Sequence, residues 1–300
     1  MYKECCTQKL SYWHNTGTEP LSCLTLGQLI DIAVERWGDK VAFVSLYQGH
    51  SITYREARDK ADCLAAGLLQ LGLSRGERLG IWGQNSTEWF ISRLAASRAG
   101  LTAVQIDPAY VAPQLLHSIN KVDIKALICA EFYKTNSCYQ ILRAVIPELD
   151  GYPESGAEIK GSKTPSLKTL VIMSDTYYRG AYRINDVIAS ARPETLKRIQ
   201  ELQTKIRHDE PCAIQFSSGT TGSPKAVVLS HHNIVNNSML LGKPLKIDMK
   251  EAKITVVTQF CHTAGITLGI ILGLCHGITL IIPAPVFDAR KTLEAIVQEK

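Results

Sequence analysis

Apolar positions along this chain recur with two alternating periods. Ala57, Ala61, Leu64, Leu68 and Leu71 fall three or four residues apart, which predicts a helix with one apolar face, closed by Gly72. The run Leu79 to Trp82 predicts a buried strand. Asn85, with Glu88 three residues on, predicts a capping box for a helix through Ala99, which Gly100 closes. Thr102 to Ile106 reads as the next strand, Pro113 as the first turn of a helix to Lys121, and Ala126 to Cys129 as a further strand. This β-α-β-α-β order predicts an α/β fold, with mainly parallel sheets flanked by helices.

The pattern breaks near Pro147 and resumes after Lys168. Between them Gly, Pro, Ser and charged residues dominate, so the predicted organisation is a first α/β subdomain over 1–150, an exposed connection over 151–168 and a second α/β subdomain over 169–300. Leu170 to Met173 reads as a strand and Glu194 to Arg207 as a helix. The stretch from Ala264 to Ile282 is long and almost uncharged. Its glycines at 265, 269, 273 and 277, with His276 and the stop at Pro283, favour a buried helix then a buried strand over a membrane span. There are no internal repeats.

The most specific chemistry lies after the strand-like run Cys212 to Phe216. Ser217, Ser218, Gly219, Thr220, Thr221, Gly222, Ser223, Pro224 and Lys225 follow without interruption. Glycines let backbone N–H groups approach anionic oxygens, hydroxyls add donors, and Lys225 adds a fixed cation. Such a composition suits a polyphosphate. The spacing differs from the phosphate loop that opens a helix, because Pro224 precedes the lysine and a second strand-like run, Val227 to Leu229, follows. A strand-loop-strand offers no helix N-terminus, which disfavours a GTPase or kinase-like reading.

Phe216 to Lys225, followed by Leu229, Ser230 and His231, resembles the nucleotide loop of the adenylate-forming superfamily, which includes acyl-CoA synthetases, luciferases and peptide-synthetase adenylation domains. Ile52-Thr53-Tyr54, Gly76 to Ile81, Asn85 to Trp89 and Asp107 to Tyr110 resemble further motifs of that superfamily, in the same order. His231 to Asn237 and the run up to Phe287 most resemble the medium-chain acyl-CoA ligases of mitochondria. The resemblance implies the N-terminal part of the adenylate-forming fold, ending before the mobile C-terminal domain. It implies ATP, Mg²⁺ and CoA as cofactors and a medium-chain fatty acid as substrate. In that reading Ser217, Ser218, Gly219, Thr220, Thr221, Gly222 and Lys225 cradle phosphates, and His262 and Gly265 border the acyl pocket. Read alone, His262 at the end of an apolar strand is more often a hydrogen-bonded structural residue, which the resemblance brings to even terms with the pocket role, and Ser230-His231 reads as a helix cap.

Three positions depart from the family pattern: Ala226 in place of a glycine, Gln259 in place of a proline, and Cys261 in place of an aromatic residue. A positive φ at Ala226 would strain it. The aromatic-Gly-x-Thr-Glu motif for Mg²⁺, the Thr-Gly-Asp motif for ribose and the C-terminal adenylation lysine do not occur in these 300 residues. No catalytic set is therefore expected to be complete here, and no metal ligands are assigned. A non-catalytic relative retaining nucleotide or partner binding, or another adenylate former such as a luciferase-like or aryl-acid ligase, remains an alternative reading.

Composition narrows the partners. The net charge of +5 is spread out, and its densest cluster, around Lys197 to Arg207, is interrupted by Glu194 and Glu201; no nucleic-acid partner is expected. Nine cysteines form no C-x-x-C pair and sit mostly in apolar runs, which favours a reducing compartment and no zinc site. Residues 1–6 resemble neither a secretory signal nor an Arg-rich transit peptide. By resemblance the mitochondrial matrix is expected, with a targeting segment upstream of these residues; otherwise the cytoplasm.

Overall fold

Two β-sheets share one apolar core in the computed structural model, which describes residues 11, 12, 17, 19–217, 224–242 and 251–299. The larger sheet has the order β11 (Lys225–Ser230), β10 (Pro211–Ser217), β4 (Thr102–Ile106), β3 (Arg78–Trp82), β5 (Ile124–Ala130), β8 (Thr169–Met173), β9 (Ala181–Arg183). Every neighbouring pair is parallel except β10 and β11, which form an antiparallel hairpin. The smaller sheet orders β12 (Lys253–Thr255), β13 (Thr279–Ile282), β1 (Val41–Ser45) and β2 (His50–Thr53). A short hairpin, β6 (Phe132–Tyr133) and β7 (Asn136–Ser137), projects after β5.

Helices α1 (Leu26–Trp37) and α2 (Tyr54–Gln70) each begin with a reciprocal box, Thr25 with Gln28 and Thr53 with Glu56. Each box satisfies backbone N–H groups that the first helical turn leaves free. Helix α3 (Thr87–Arg98) crosses from β3 to β4 and is buried on nearly every side. Its Phe90 stacks on Phe43 of β1 at 4.8 Å, which joins the two sheets. On the opposite face of the large sheet, α4 (Ala112–Lys121) and α5 (Cys138–Val145) cover a second apolar cluster.

Arg98, at the end of α3, is almost wholly buried. Its Nε and Nη2 donate to the two carboxylate oxygens of Asp62 at 2.5 and 3.1 Å, and its Nη1 to Asp31 at 2.6 Å and to the Gly27 carbonyl at 3.0 Å. One guanidinium thus ties α1, α2 and α3 together. Such a group has the rigid fork that paired carboxylates require.

The chain closes on α6 (Ile184–Ala189), α7 (Pro193–Leu202), α8 (His231–Gly242), a helix widened to π form over Gly265–Ile271 that runs into α9 (Leu272–His276), and α10 (Ala289–Gln298). Gly277, at φ +67°, ends α9 in the left-handed region and β13 follows, as the division at that glycine implies. No helix among the described residues is long and apolar enough to cross a membrane.

Several expectations are corrected. The cap of α3 is Ser86, whose side chain accepts from the Trp89 N–H, and not Asn85, whose amide is committed elsewhere. Helix α7 ends at Leu202 and not Arg207: the N–H groups of Gln203, Thr204 and Lys205 donate to the carbonyls three residues back, which closes tight turns in place of a further helical turn. The segment 151–168 is no boundary between separate sheets: strands from both sides of it pair in the large sheet, and β1 pairs with β13 in the small one. Nor is it wholly exposed, since Ile159, Thr164 and Leu167 are buried.

Replacing Arg98 with Met would leave Asp62 buried without its counter-charge. We expect a loss of about 3–5 kcal/mol in urea denaturation; a loss under about 1 kcal/mol would show that the triad is not integral to the fold.

Candidate active-site cleft

Beyond the carboxyl ends of β4 and β10 lies a cleft of about 440 Å³. Crevices at this end of parallel strands are the usual ligand positions in open α/β sheets. Its floor is a register pair, Gln105 on β4 and Gln215 on β10. Tyr110 and Cys261 form walls, and Ser217 and Pro224 stand at the mouth. A second, more open lobe of about 670 Å³ shares Asp107, His262 and Thr263 with the first, and has Tyr133 of the β6–β7 hairpin on its far side.

The hairpin of β10 and β11 contributes Gln215, Phe216, Ser217 and Pro224 to this cleft. Ser217 and Lys225 are the last register pair of its stem, and both are exposed. Ser218, Gly219, Thr220, Thr221 and Gly222, the remainder of the expected phosphate cradle, lie outside the described residues. Ala226 pairs with Phe216 within the strand, and positive φ among described non-glycine residues occurs only at Asp123 and Lys134. The strain expected from an alanine at position 226 is therefore absent.

His262 comes from the small-sheet side of the molecule. It does not end a strand, since β12 stops at Thr255; it sits on an irregular turn over 258–262. Asn85 holds that turn from one side: its Nδ2 donates to the Thr258 carbonyl at 2.9 Å and its Oδ1 accepts from the Phe260 N–H at 2.7 Å. Gln215 holds it from the other, its Nε2 donating to the Cys261 carbonyl at 2.7 Å. Phe260 anchors the turn against Trp89, with ring centroids 5.3 Å apart. The His262 ring is exposed to both lobes and makes no hydrogen bond among the described residues. Burial, with a smaller contribution from Asp107, pushes the Cys261 thiol up to about 12, so it stays protonated and is no nucleophile. Burial likewise raises the Tyr110 phenol, again with Asp107 adding to it.

Gly265 has a different role from the one expected. A Cβ at this position would meet the Gln259 carbonyl oxygen at 2.2 Å, so the glycine serves the close approach of two backbones and does not face the cleft. Ser230 and His231 are structural, as expected of a cap. Ser230 and Asn233 exchange hydrogen bonds at the start of α8, and buried His231 accepts from the Leu26 N–H through Nδ1 at 3.0 Å. Among the described residues, no group of three or more His, Cys, Asp or Glu side chains could hold a metal ion. Gln105 carried no signal in the sequence beyond being a polar residue in an apolar strand.

Residues 30–300 match the sequence family described as AMP-binding enzyme. The chain belongs to that family. It is 38% identical over 284 residues to the medium-chain acyl-CoA ligase ACSF2, mitochondrial, of Bos taurus, covering 93% of this chain and 46% of that one. The Danio rerio protein of the same name is 35% identical, with 98% and 48% covered. The acyl-CoA ligase sidI of Aspergillus fumigatus is 29% identical, with 92% and 45% covered. The chain thus spans about half the length of the curated relatives it matches. Among solved structures, a long-chain-fatty-acid-CoA ligase (FadD1) from Archaeoglobus fulgidus superposes with a TM-score of 0.74 at 19% identity, covering 97% of this chain and 52% of that one. The N-terminal domain of FACL13 from Mycobacterium tuberculosis superposes with 0.71 at 22%, covering 92% and 61%. The fold of this AMP-binding family member is that of the N-terminal domain of adenylate-forming enzymes.

Two outcomes follow from the geometry. Replacing Asn85 with Ala would strand the buried Phe260 N–H and release the turn. We expect about 2–3 kcal/mol of lost stability in thermal unfolding, together with faster amide exchange at 258–262; unchanged exchange there would show that other contacts hold the turn. His231 is held neutral, pushed down to about 4, chiefly by burial and then by the charge of Arg93. Between pH 6.5 and 4 the unfolded chain takes up a proton that the folded one refuses. Its stabilising contribution is therefore complete above about pH 6.5 and is lost as pH falls toward 4, by up to about 3 kcal/mol. His231→Gln should flatten that part of the stability–pH curve, measured by denaturant titration at each pH.

Proposed function

We propose that this chain is the N-terminal portion of an ATP-dependent acyl-CoA ligase. The reaction joins a carboxylate to ATP, forming an acyl-adenylate and releasing pyrophosphate; the thiol of CoA then displaces AMP. Medium-chain fatty acids are the favoured substrates and the mitochondrion the favoured location, both carried from the names of the relatives at 35–38% identity.

The observation that carries this reading is the meeting of two elements over one cleft. Ser217 and Pro224, the described residues on either side of the expected phosphate loop, line the cleft, and the exposed His262 lines both lobes. Attack of a carboxylate on a phosphate brings two anions together, so the site must supply positive charge and oriented donors. Lys225 and Ser217 are the described groups that fit the outer phosphates. His262 offers a ring N–H at the point where the carboxylate and the first phosphate would meet. Mg²⁺ supplies further charge neutralisation between phosphates when bound. The described residues offer no ligand set for it, and CoA has no assigned contact here.

Lys225→Ala in the full-length protein should lower carboxylate-dependent ATP–pyrophosphate exchange about a hundredfold or more. Its unfolding midpoint should stay unchanged, because the side chain is exposed. An exchange rate equal to wild type would remove Lys225 from the phosphate site.

A further inference from the structure

The peptide unit between Cys261 and His262 is held at both of its polar ends. Its carbonyl accepts from Gln215 Nε2 at 2.7 Å, and its N–H donates to the Gln259 carbonyl at 3.1 Å. The next peptide is held too, since the His262 carbonyl accepts from the Ile266 N–H at 3.2 Å. Peptide groups are planar, so fixing the planes on both sides of His262 fixes the direction of its Cα–Cβ bond. Two of these partners are local to the turn and the helix after it. Gln215 is the one that reaches across from the large sheet.

Its strand is paired on both sides, with Gln105 of β4 and Val227 of β11 as register neighbours. Two residues further along, Ser217 begins the loop expected to hold phosphates. Gln215 is therefore a short link between the phosphate end of the cleft and the imidazole. Its amide has one usable orientation, because the Cys261 carbonyl only accepts and the nitrogen must face it. The remaining Oε1 and the Nε2 of Gln105 are sealed from the cleft, a neighbouring acceptor and donor able to pair with each other.

We infer that Gln215 is a positioning residue for adenylate formation, acting through His262. It holds the imidazole at a fixed offset from the phosphates on the loop of its own strand. This rests on the ligase reading and adds the residue that aligns the two ends of the site. The bond supplies aim and no chemistry, so its loss slows the reaction without loosening nucleotide binding. In such a site a displacement of about 1 Å costs on the order of a hundredfold in rate.

The test uses the full-length protein and carboxylate-dependent ATP–pyrophosphate exchange with octanoic acid. Gln215→Met keeps the length of the side chain and removes the donor. It should lower kcat about tenfold or more, with the KM for ATP within about twofold of wild type. In a His262→Ala background the same substitution should change kcat less than about twofold, because the group it aims is gone. Gln215→Leu should repeat both results, so that a packing fault of one side chain is not taken for lost aim. Loss of the folded state in both variants, or a full additional loss of kcat on top of His262→Ala, would show Gln215 serving the fold alone and overturn the inference. A wild-type kcat for Gln215→Met beside a slow His262→Ala would overturn it too, and leave the ligase reading intact. An unslowed His262→Ala would remove the imidazole from the reaction and the inference with it. Absence of exchange in the wild-type protein would overturn the ligase reading itself.

Discussion

The cleft exists because an irregular five-residue turn is held over the ends of the large sheet. Residues 258–262 have no ladder of their own to satisfy their backbone groups. Two side-chain amides from the large sheet and its connections do it instead, Asn85 after β3 and Gln215 on β10. Buried main-chain donors and acceptors must be paired. The turn can therefore sit only where those two amides reach it, and His262 is placed above the cleft as a consequence. Phe260 adds an apolar anchor on the same turn, packed against Trp89.

That arrangement is coupled to the core through α3. Its cap, Ser86, follows Asn85 directly, so the start of the helix and the tether of the turn are set by adjacent residues. Its other end is clamped by Arg98 to Asp62 and Asp31. The helix is buried between two sheets, with Phe90 against Phe43 and Trp89 against Phe260. A shift of α3 along its axis would break the Arg98 fork and lift the turn together. His262 is thus held by rigid elements, while Lys225 stands on an edge hairpin.

The groups proposed to act in the reaction accordingly come from opposite sides. Lys225 arrives on β11, an edge strand, and His262 on the turn that leaves the small sheet. Between them the protein places a polar floor, a protonated thiol and a phenol held neutral by burial. Among the described residues that line the two lobes, Asp107 is the one carboxylate, and no lysine or arginine is present.

The chain's periodicities determined most of the elements. The strands at 78–82, 102–106 and 169–173 and the helices at 54–70 and 112–121 followed from local spacing, and the loop ending in Lys225 from its composition, because propensity and capping act between near neighbours in sequence. What tertiary structure alone decided involves partners far apart in the chain. Asn85 looked like a cap because its neighbours match one; its partners are more than 170 residues away. Gly265 looked like room for a ligand, but the room is taken by the backbone at Gln259. The division near 151–168 was read from a change in local composition, whereas sheet membership is settled by pairing between remote strands. Gln105 and Gln215 were each an unremarked polar residue in an apolar strand until the β4–β10 register set them side by side, because only the folded sheet brings their amides to one floor.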